Sequence, residues 1–336
     1  MKRAMITGVT GQDGSYLAEH LLAEGYEVWG FVHGQANPRV GRVRQLLPDI
    51  RLVYGDLTDA KSLLTAVDHV QPHEVYNLAA VSFIPVSWQH AESSAEVTGL
   101  GVLRLLEAVR SFNGITGSGA VTSGQTRLFQ ASSSEIFGNA AEPSQSESTA
   151  FQPISPYGSA KLYGHLLVQH YRESLGMYAV SGILFNHESP RRDQRYVSRK
   201  VSLGVAKIKL GLEKKLRLGS LVTRRDWGFA GDYVQAFSLM LSQEEPTDFV
   251  IGTGVSHSVE DLVESAFSQV DLDWRDHVTC DSSLLRSIDI SVLTADPRKA
   301  RRSLGWQPTV NFHELVAMMV DSDLRSQSAE SDADQF

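Results

Sequence analysis

Along the first eighty residues, short apolar runs alternate with segments of helical period. RAMITGV (3–9), EVWGFVH (27–33), IRLVYGD (50–56) and HEVYNLAA (73–80) are mostly apolar and of strand length. SYLAEHLLAEGY (15–26) and AKSLLTAVDHV (60–70) instead place apolar residues three and four apart. Strands without polar alternation are buried on both faces, and strands that alternate with helices are joined by crossovers. The pattern therefore predicts a βαβαβ rhythm, a parallel sheet with helices on both sides. LGVLRLLEAVRSF (100–112) predicts a strongly amphipathic helix and TRLFQASSS (126–134) the next strand. Between them NGITGSGAVTSGQ (113–125), rich in Gly, Ser and Thr, predicts a surface loop. The tail from Ser326, SQSAESDADQF, is polar and acidic and predicts disorder over 326–336.

Composition narrows the classes of function. A chain of 336 residues with 42% hydrophobic content can bury a large core, as one large domain or two interleaved ones. A formal charge of −8 leaves no excess of Lys and Arg to displace counterions from nucleic acid, so an anionic ligand has to be met locally. One cysteine, Cys280, excludes an internal disulfide framework and a Cys-rich metal site, and suits a reducing cytoplasm. In MKRAMITGVTGQDG the apolar run is cut by Thr and Gly within a few positions, so no signal peptide is expected there. No apolar run is long enough to span a bilayer, and no membrane partner is expected.

Gly8, Gly11 and Gly14 are spaced GxxGxxG, directly after a predicted strand and opening a predicted helix. Glycines in that setting permit a tight turn, let backbone approach a pyrophosphate and allow close helix–strand packing, while the helix N-terminus supplies N–H donors. A dinucleotide cofactor is expected on Gly8, Thr10, Gly11, Gln12, Asp13 and Gly14, with Asp56 at the end of the third strand placed to meet adenine. Tyr157 and Lys161 are four apart on a predicted helix, which puts phenol and ammonium on one face. A cation there is expected to favour phenolate and lower the Tyr157 pKa from about 10, making it a usable base. Preceding them, QASSSEIFG (130–138) runs three serines into a carboxylate, Glu135.

With these motifs in place the chain resembles the extended short-chain dehydrogenase/reductases, and within them the GDP-mannose 4,6-dehydratase group. The segments that carry the resemblance include TGVTGQDGSYLAEHLL, FQASSSEIFG, SPYGSAKLYGH, GILFNHESPRR, RDWGFAGDYVQA and TADPRKARRSLGWQP. It implies an α/β fold, a Rossmann-type doubly wound parallel sheet over 1–186 to which 226–254 returns. A smaller interleaved domain, 187–225 and 255–325, would take the GDP-sugar. Ser133, Glu135, Tyr157 and Lys161 would be catalytic, with Ser133 on the C4 oxygen, Tyr157 taking its proton and Glu135 acting at C5. Leu57, Leu78, Ala79 and Ala80 would join the NADP or NAD site. Ser82, Asn186, Glu188, Lys200, Arg225, Arg286 and Asp289 would meet the GDP-sugar, with Asp289 replacing the usual Glu on the ribose. A homodimer or homotetramer is implied.

Some positions depart from the group. Where it usually reads close to VRRSS, whose arginines and serines hold the NADP 2′-phosphate, this chain has Val32-His33-Gly34-Gln35-Ala36-Asn37. Val81, Pro85 and Thr98 also differ near the sugar end. Two other functions stay open on the sequence: a GDP-sugar 4-epimerase or a dehydratase of a modified GDP-sugar, and a nucleotide-sugar-binding protein without catalysis. Elimination needs Glu135, whereas C4 epimerisation does not.

Overall fold

A computed structural model describes residues 1–34, 43, 48–116, 124–285, 290 and 292–333. Seven strands form one parallel sheet: β1 (Arg3–Thr7), β2 (Glu27–Val32), β3 (Arg51–Tyr54), β4 (Glu74–Asn77), β5 (Arg127–Ala131), β6 (Ala179–Leu184) and β10 (Phe249–Ile251). Their order is β10-β6-β5-β4-β1-β2-β3. Chain direction across the sheet reverses between β1 and β4, and in open α/β sheets the crevice beyond the strand carboxyl ends at that point takes the ligand.

β1 shows why its sequence is unbroken. Ala4 and Ile6 face one core with Leu17, Ala18 and Leu21 of the helix Gln12–Ala23 and Val234 of the helix Ala230–Ser242. Met5 faces the other, with Leu63 and Val67 of the helix Ala60–Val70 and Leu105 and Val109 of the helix Gly101–Phe112. Both faces of the strand are covered, so period-two alternation of apolar and polar residues has nothing to serve.

A second, smaller layer follows from β7 (Asn186–Glu188), β9 (Arg224–Phe229), β11 (Ser256–Ser258) and β13 (Val292–Leu293), with β9 central. β8 (Leu216–Leu218) pairs with β12 (Val278–Cys280). The helices Val197–Lys209, Val259–Ser268 and Phe312–Ala333 pack there around Val201, Trp227, Leu262 and Leu315. The chain then returns to the large sheet through the helix Ala230–Ser242 and β10, while 226–229 lie in the smaller sheet as part of β9. Asp226 ties the crossing together by accepting hydrogen bonds from the Thr253 and Gly254 backbone and from Ala295.

The segment from Ser326, read as a disordered tail, instead continues the last helix through Ala333. Once Phe312 to Val320 are packed, each added residue costs propagation rather than nucleation, and SQSAESDA holds neither Pro nor Gly to stop it. No described helix is long and apolar enough to cross a membrane.

Candidate active site

β1 ends at Thr7, and Gly8 turns the chain with φ +74°, where a Cβ would stand 2.8 Å from the Ala79 nitrogen. A Cβ on Gly14 would overlap the Gly8 carbonyl oxygen. Gly11 caps the following helix without any side-chain bond to it, which leaves that helix end to backbone donors. At Gly8 and Gly14 a side chain would collide with neighbouring backbone, so the turn stays tight, and it borders a cleft of about 510 Å³ at the β1/β4 switch point. The turn fits the diphosphate of a dinucleotide.

β5 ends where the serines begin. Ser133 caps a single tight turn, Ser134–Ile136, and its hydroxyl accepts the Glu135 N–H at 3.3 Å. Ile136 and Phe137 are fully buried and anchor the turn from behind, so the Glu135 side chain is left to the cleft. The carboxylate position is thus a consequence of the two apolar residues after it.

The helix Pro156–Leu175 begins with Ser155 accepting the Gly158 N–H at 3.0 Å and Pro156 in its first turn. That sets Tyr157 and Lys161 on the cleft face, with the Lys161 Nζ 5.8 Å from the centre of the Tyr157 ring. Lys161 is 4% exposed and donates to the Ala131 carbonyl at 2.7 Å. Burial brings its pKa down to about 8, against the opposing charge of Asp13. The phenol behaves differently from expectation. Burial pushes Tyr157 well above its ordinary value and Tyr196 adds to this, while a hydrogen bond with Ser133 and the charge of Arg192 pull the other way. Desolvation outweighs the Ser133 hydrogen bond and the charge of Arg192.

Beneath these groups runs a polar chain that the sequence did not single out. Thr7 Oγ1 donates to Asn77 Oδ1 at 2.6 Å, and Asn77 Nδ2 to Gln130 Oε1 at 2.7 Å. Gln130 Nε2 then shares the Ala131 carbonyl with Lys161, at 2.8 Å. All three side chains are buried at the carboxyl ends of β1, β4 and β5. Polar residues closing otherwise apolar strands were the available signal. The Thr7 hydroxyl also accepts the N–H of Leu78 and of Ala79, so one network links the Gly8 turn, the 78–80 loop and the lysine.

His187, Arg192 and Tyr196 also line the cleft, and none was singled out from sequence. His187 Nε2 lies 2.8 Å from Asp13 and Nδ1 2.7 Å from the Phe185 carbonyl. Both ring nitrogens face acceptors, an arrangement that favours the protonated imidazole. Burial opposes the Asp13 charge, but His187 and the Gln12 amide overcome it and hold the pKa at about 2. For His187, burial lowers the pKa and Asp13 outweighs that, raising it. Asp13 is therefore the partner of a buried histidine at the cleft floor.

The cleft gathers every residue expected at the cofactor site, the four catalytic candidates, and Ser82 and Asn186. It is not lined by Glu188, Lys200 or Arg225. Glu188 is 2% exposed, pairs with Arg192 at 2.9 Å and accepts the Ser198 hydroxyl at 2.7 Å, a buried bracket in place of an open contact. Arg225 donates to the carbonyls of Arg224 and Ile290. Burial and then the charge of Arg217 lower the Lys200 pKa, while Asp281, which pairs with Arg217, pulls the other way. Arg286 and Asp289 lie outside the described residues, as do Gln35, Ala36 and Asn37.

Comparison with known proteins gives the family. The family described as GDP-mannose 4,6 dehydratase matches residues 5–319. The chain belongs to that family. GDP-mannose 4,6 dehydratase 1 of Arabidopsis thaliana is 47% identical over 331 residues, covering 96% of this chain and 90% of the relative. The GDP-mannose 4,6 dehydratase of Homo sapiens is 44% identical over 346 residues, covering 96% and 91%. Among solved structures, the fold is similar to that of a Thermotoga maritima UDP-glucose 4-epimerase with UDP-glucose, at a TM-score of 0.82, 21% identity and 97% and 99% coverage. A dTDP-glucose 4,6-dehydratase from Bacillus anthracis in complex with NAD gives a TM-score of 0.81, 19% identity and 98% coverage of both chains. Membership of the dehydratase family gives the placement of Glu135 beside Ser133, Tyr157 and Lys161 its chemical interest.

Proposed function

We propose that the protein is a GDP-mannose 4,6-dehydratase, a lyase that converts the GDP-hexose to GDP-4-keto-6-deoxyhexose with a tightly held NAD or NADP. The observation that carries this is Glu135 in one cleft with Ser133, Tyr157 and Lys161. The 8–14 turn and the 78–80 loop would hold the dinucleotide, whose nicotinamide supplies hydride uptake at C4 and return at C6. Ser133 orients the C4 oxygen, and Tyr157 would take its proton once the charge of the bound oxidised dinucleotide and the Lys161 ammonium offset the burial that raises the phenol pKa. Conversion of C4 to a ketone makes the C5 hydrogen acidic. Glu135 removes that proton and, once protonated, delivers it to the departing C6 hydroxyl, which leaves as water; after hydride returns to C6, C5 takes a new proton that comes from solvent through Glu135. Lys200 would meet the anionic nucleotide end, as the resemblance implies. An assembly of two or four copies in the cytoplasm completes the reading; the resemblance supports the assembly, and the lone Cys280 accords with the compartment.

The test is direct. Purified protein incubated with GDP-mannose in D₂O should release a product lighter by one water and carrying deuterium at C5. Release of a C4 epimer of unchanged composition, without deuterium at C5, would replace the dehydratase by an epimerase.

Cofactor choice is a second expectation. At the end of β2 the cleft presents His33, whose Nε2 lies 3.0 Å from the Asp56 carboxylate, where an arginine pair would serve a 2′-phosphate. A hydrogen bond to a charged group contributes roughly 1.5–3 kcal/mol, so its loss removes about tenfold or more of NADP preference. Calorimetric titration should show NAD bound at least as tightly as NADP. A hundredfold preference for NADP would contradict this.

A further inference from the structure

In the cleft that Tyr157 also lines, the hydroxyls of Ser82 and Tyr196 lie 2.9 Å apart. Ser82 belongs to the loop after β4, in the cofactor half. Tyr196 caps the helix Val197–Lys209, in the smaller half. The two side chains therefore join the halves at the mouth of the cleft that both line. Tyr196 is held firmly. The Arg192 guanidinium lies 3.6 Å from its ring centre, and Phe83 meets it edge-on at 5.3 Å. Arg192 is itself fixed by Glu188 at 2.9 Å, and Arg195 covers the Phe83 ring at 5.0 Å. A phenol stacked this way has few orientations to lose when it meets a ligand, so its hydroxyl is preorganised.

We propose that Tyr196, paired with Ser82, is a sugar-positioning and specificity residue that binds a non-reacting hydroxyl of the hexose, at C2 or C3. The inference rests on the dehydratase reading above. Its geometry follows from the reacting groups: C4 must face Tyr157 and Ser133, and C5 and C6 must face Glu135. The Ser82–Tyr196 pair lines the same cleft, and Tyr196 acts electrostatically on Tyr157, so the pair is matched to the ring edge that adjoins C4, the C2–C3 edge. Each hydroxyl both donates and accepts, and their mutual bond uses only one donor. A sugar hydroxyl can therefore bridge them without leaving either unsatisfied.

Tyr196→Phe keeps the ring, its stack on Arg192 and its contact with Phe83, so the fold is retained while the hydroxyl is lost; an unchanged melting temperature checks this. Calorimetry with GDP-mannose, which needs no turnover, should show Kd raised about three- to tenfold, the worth of one neutral hydrogen bond. Binding of GDP, which lacks the hexose, should change by less than about twofold. Ser82→Ala should reproduce this, and the double variant should fall short of the product of the two effects, because the hydroxyls act as a pair. GDP-2-deoxymannose and GDP-3-deoxymannose identify the contact: one of them should bind wild type and Tyr196→Phe equally. Equal weakening of GDP and GDP-mannose, no weakening of either, or full sensitivity with both deoxy sugars overturns the proposal. Absence of a dehydrated product from wild type bears only on the function reading, since the binding comparison is independent of it.

Discussion

Glu135→Gln should lower turnover of GDP-mannose by about 10²–10⁴, the usual contribution of one positioned acid–base group, while leaving oxidation at C4 largely intact. Gln keeps the size of the side chain. Ile136 and Phe137 still anchor the turn, and Ser133 still accepts the backbone N–H of residue 135. What disappears is the ability to take the C5 proton and return it to the leaving hydroxyl. The variant should therefore accumulate a 4-keto hexose that has kept its C6 oxygen. Quenching with borodeuteride labels that ketone at C4, and mass spectrometry then distinguishes it from the dehydrated sugar. Tyr157→Phe is the complement, because without the phenol no C4 ketone forms and no label enters. If Glu135→Gln turned over at the wild-type rate, the carboxylate would be only an acid at the end of a strand and elimination would need another base.

The second large effect separates stability from activity at Lys161. Lys161→Met should cost about 10²–10⁴ in turnover, since the cation beside Tyr157 is removed. It should also make the protein without cofactor more stable at pH 7. The reasoning follows the sign of the shift. Burial takes the lysine pKa from 10.5 to about 8, so between those values the unfolded chain binds more protons than the folded one. The cost of burying the charge is full below pH 8 and fades as pH rises toward 10.5. At about 1.4 kcal/mol for each tenfold in the proton equilibrium, it amounts to something on the order of 3 kcal/mol at neutral pH. Part of this is offset by the lost bond to the Ala131 carbonyl, which keeps the Gln130 donor. Thermal unfolding should show a rise of a few degrees at pH 7 that shrinks by pH 10. A melting temperature that falls, or a gain independent of pH, would mean the lysine is held mainly for its packing.

The contrast between Lys161 and Tyr157 shows where sequence reading stopped. Their spacing of four is visible in YGSAK, and so is the shared helix face. The direction of the phenol shift was not: Tyr157 lies deep enough that desolvation exceeds the attraction of Arg192, and depth is a property of the assembled layers. Glu188 is a similar case. In LFNHE the resemblance makes it a contact of the GDP-sugar, yet Arg192 and Ser198 enclose it. Asp13 was legible as part of the Gly-rich turn, but its partner His187 is 174 residues away.

What the sequence alone determined is everything governed by backbone period and local sterics. The unbroken apolar strands called for a two-sided sheet, the glycines for a tight turn, and the serine run for a carboxylate at the end of a strand. Tertiary structure decided which of these groups meet and in what dielectric. The Thr7–Asn77–Gln130 chain reaching Lys161, the buried Asp13–His187 pair and the Ser82–Tyr196 bridge join residues from distant parts of the chain. No local pattern encodes such pairs, because their energies come from the exclusion of water when separate layers close on one another, and that happens only in the packed fold.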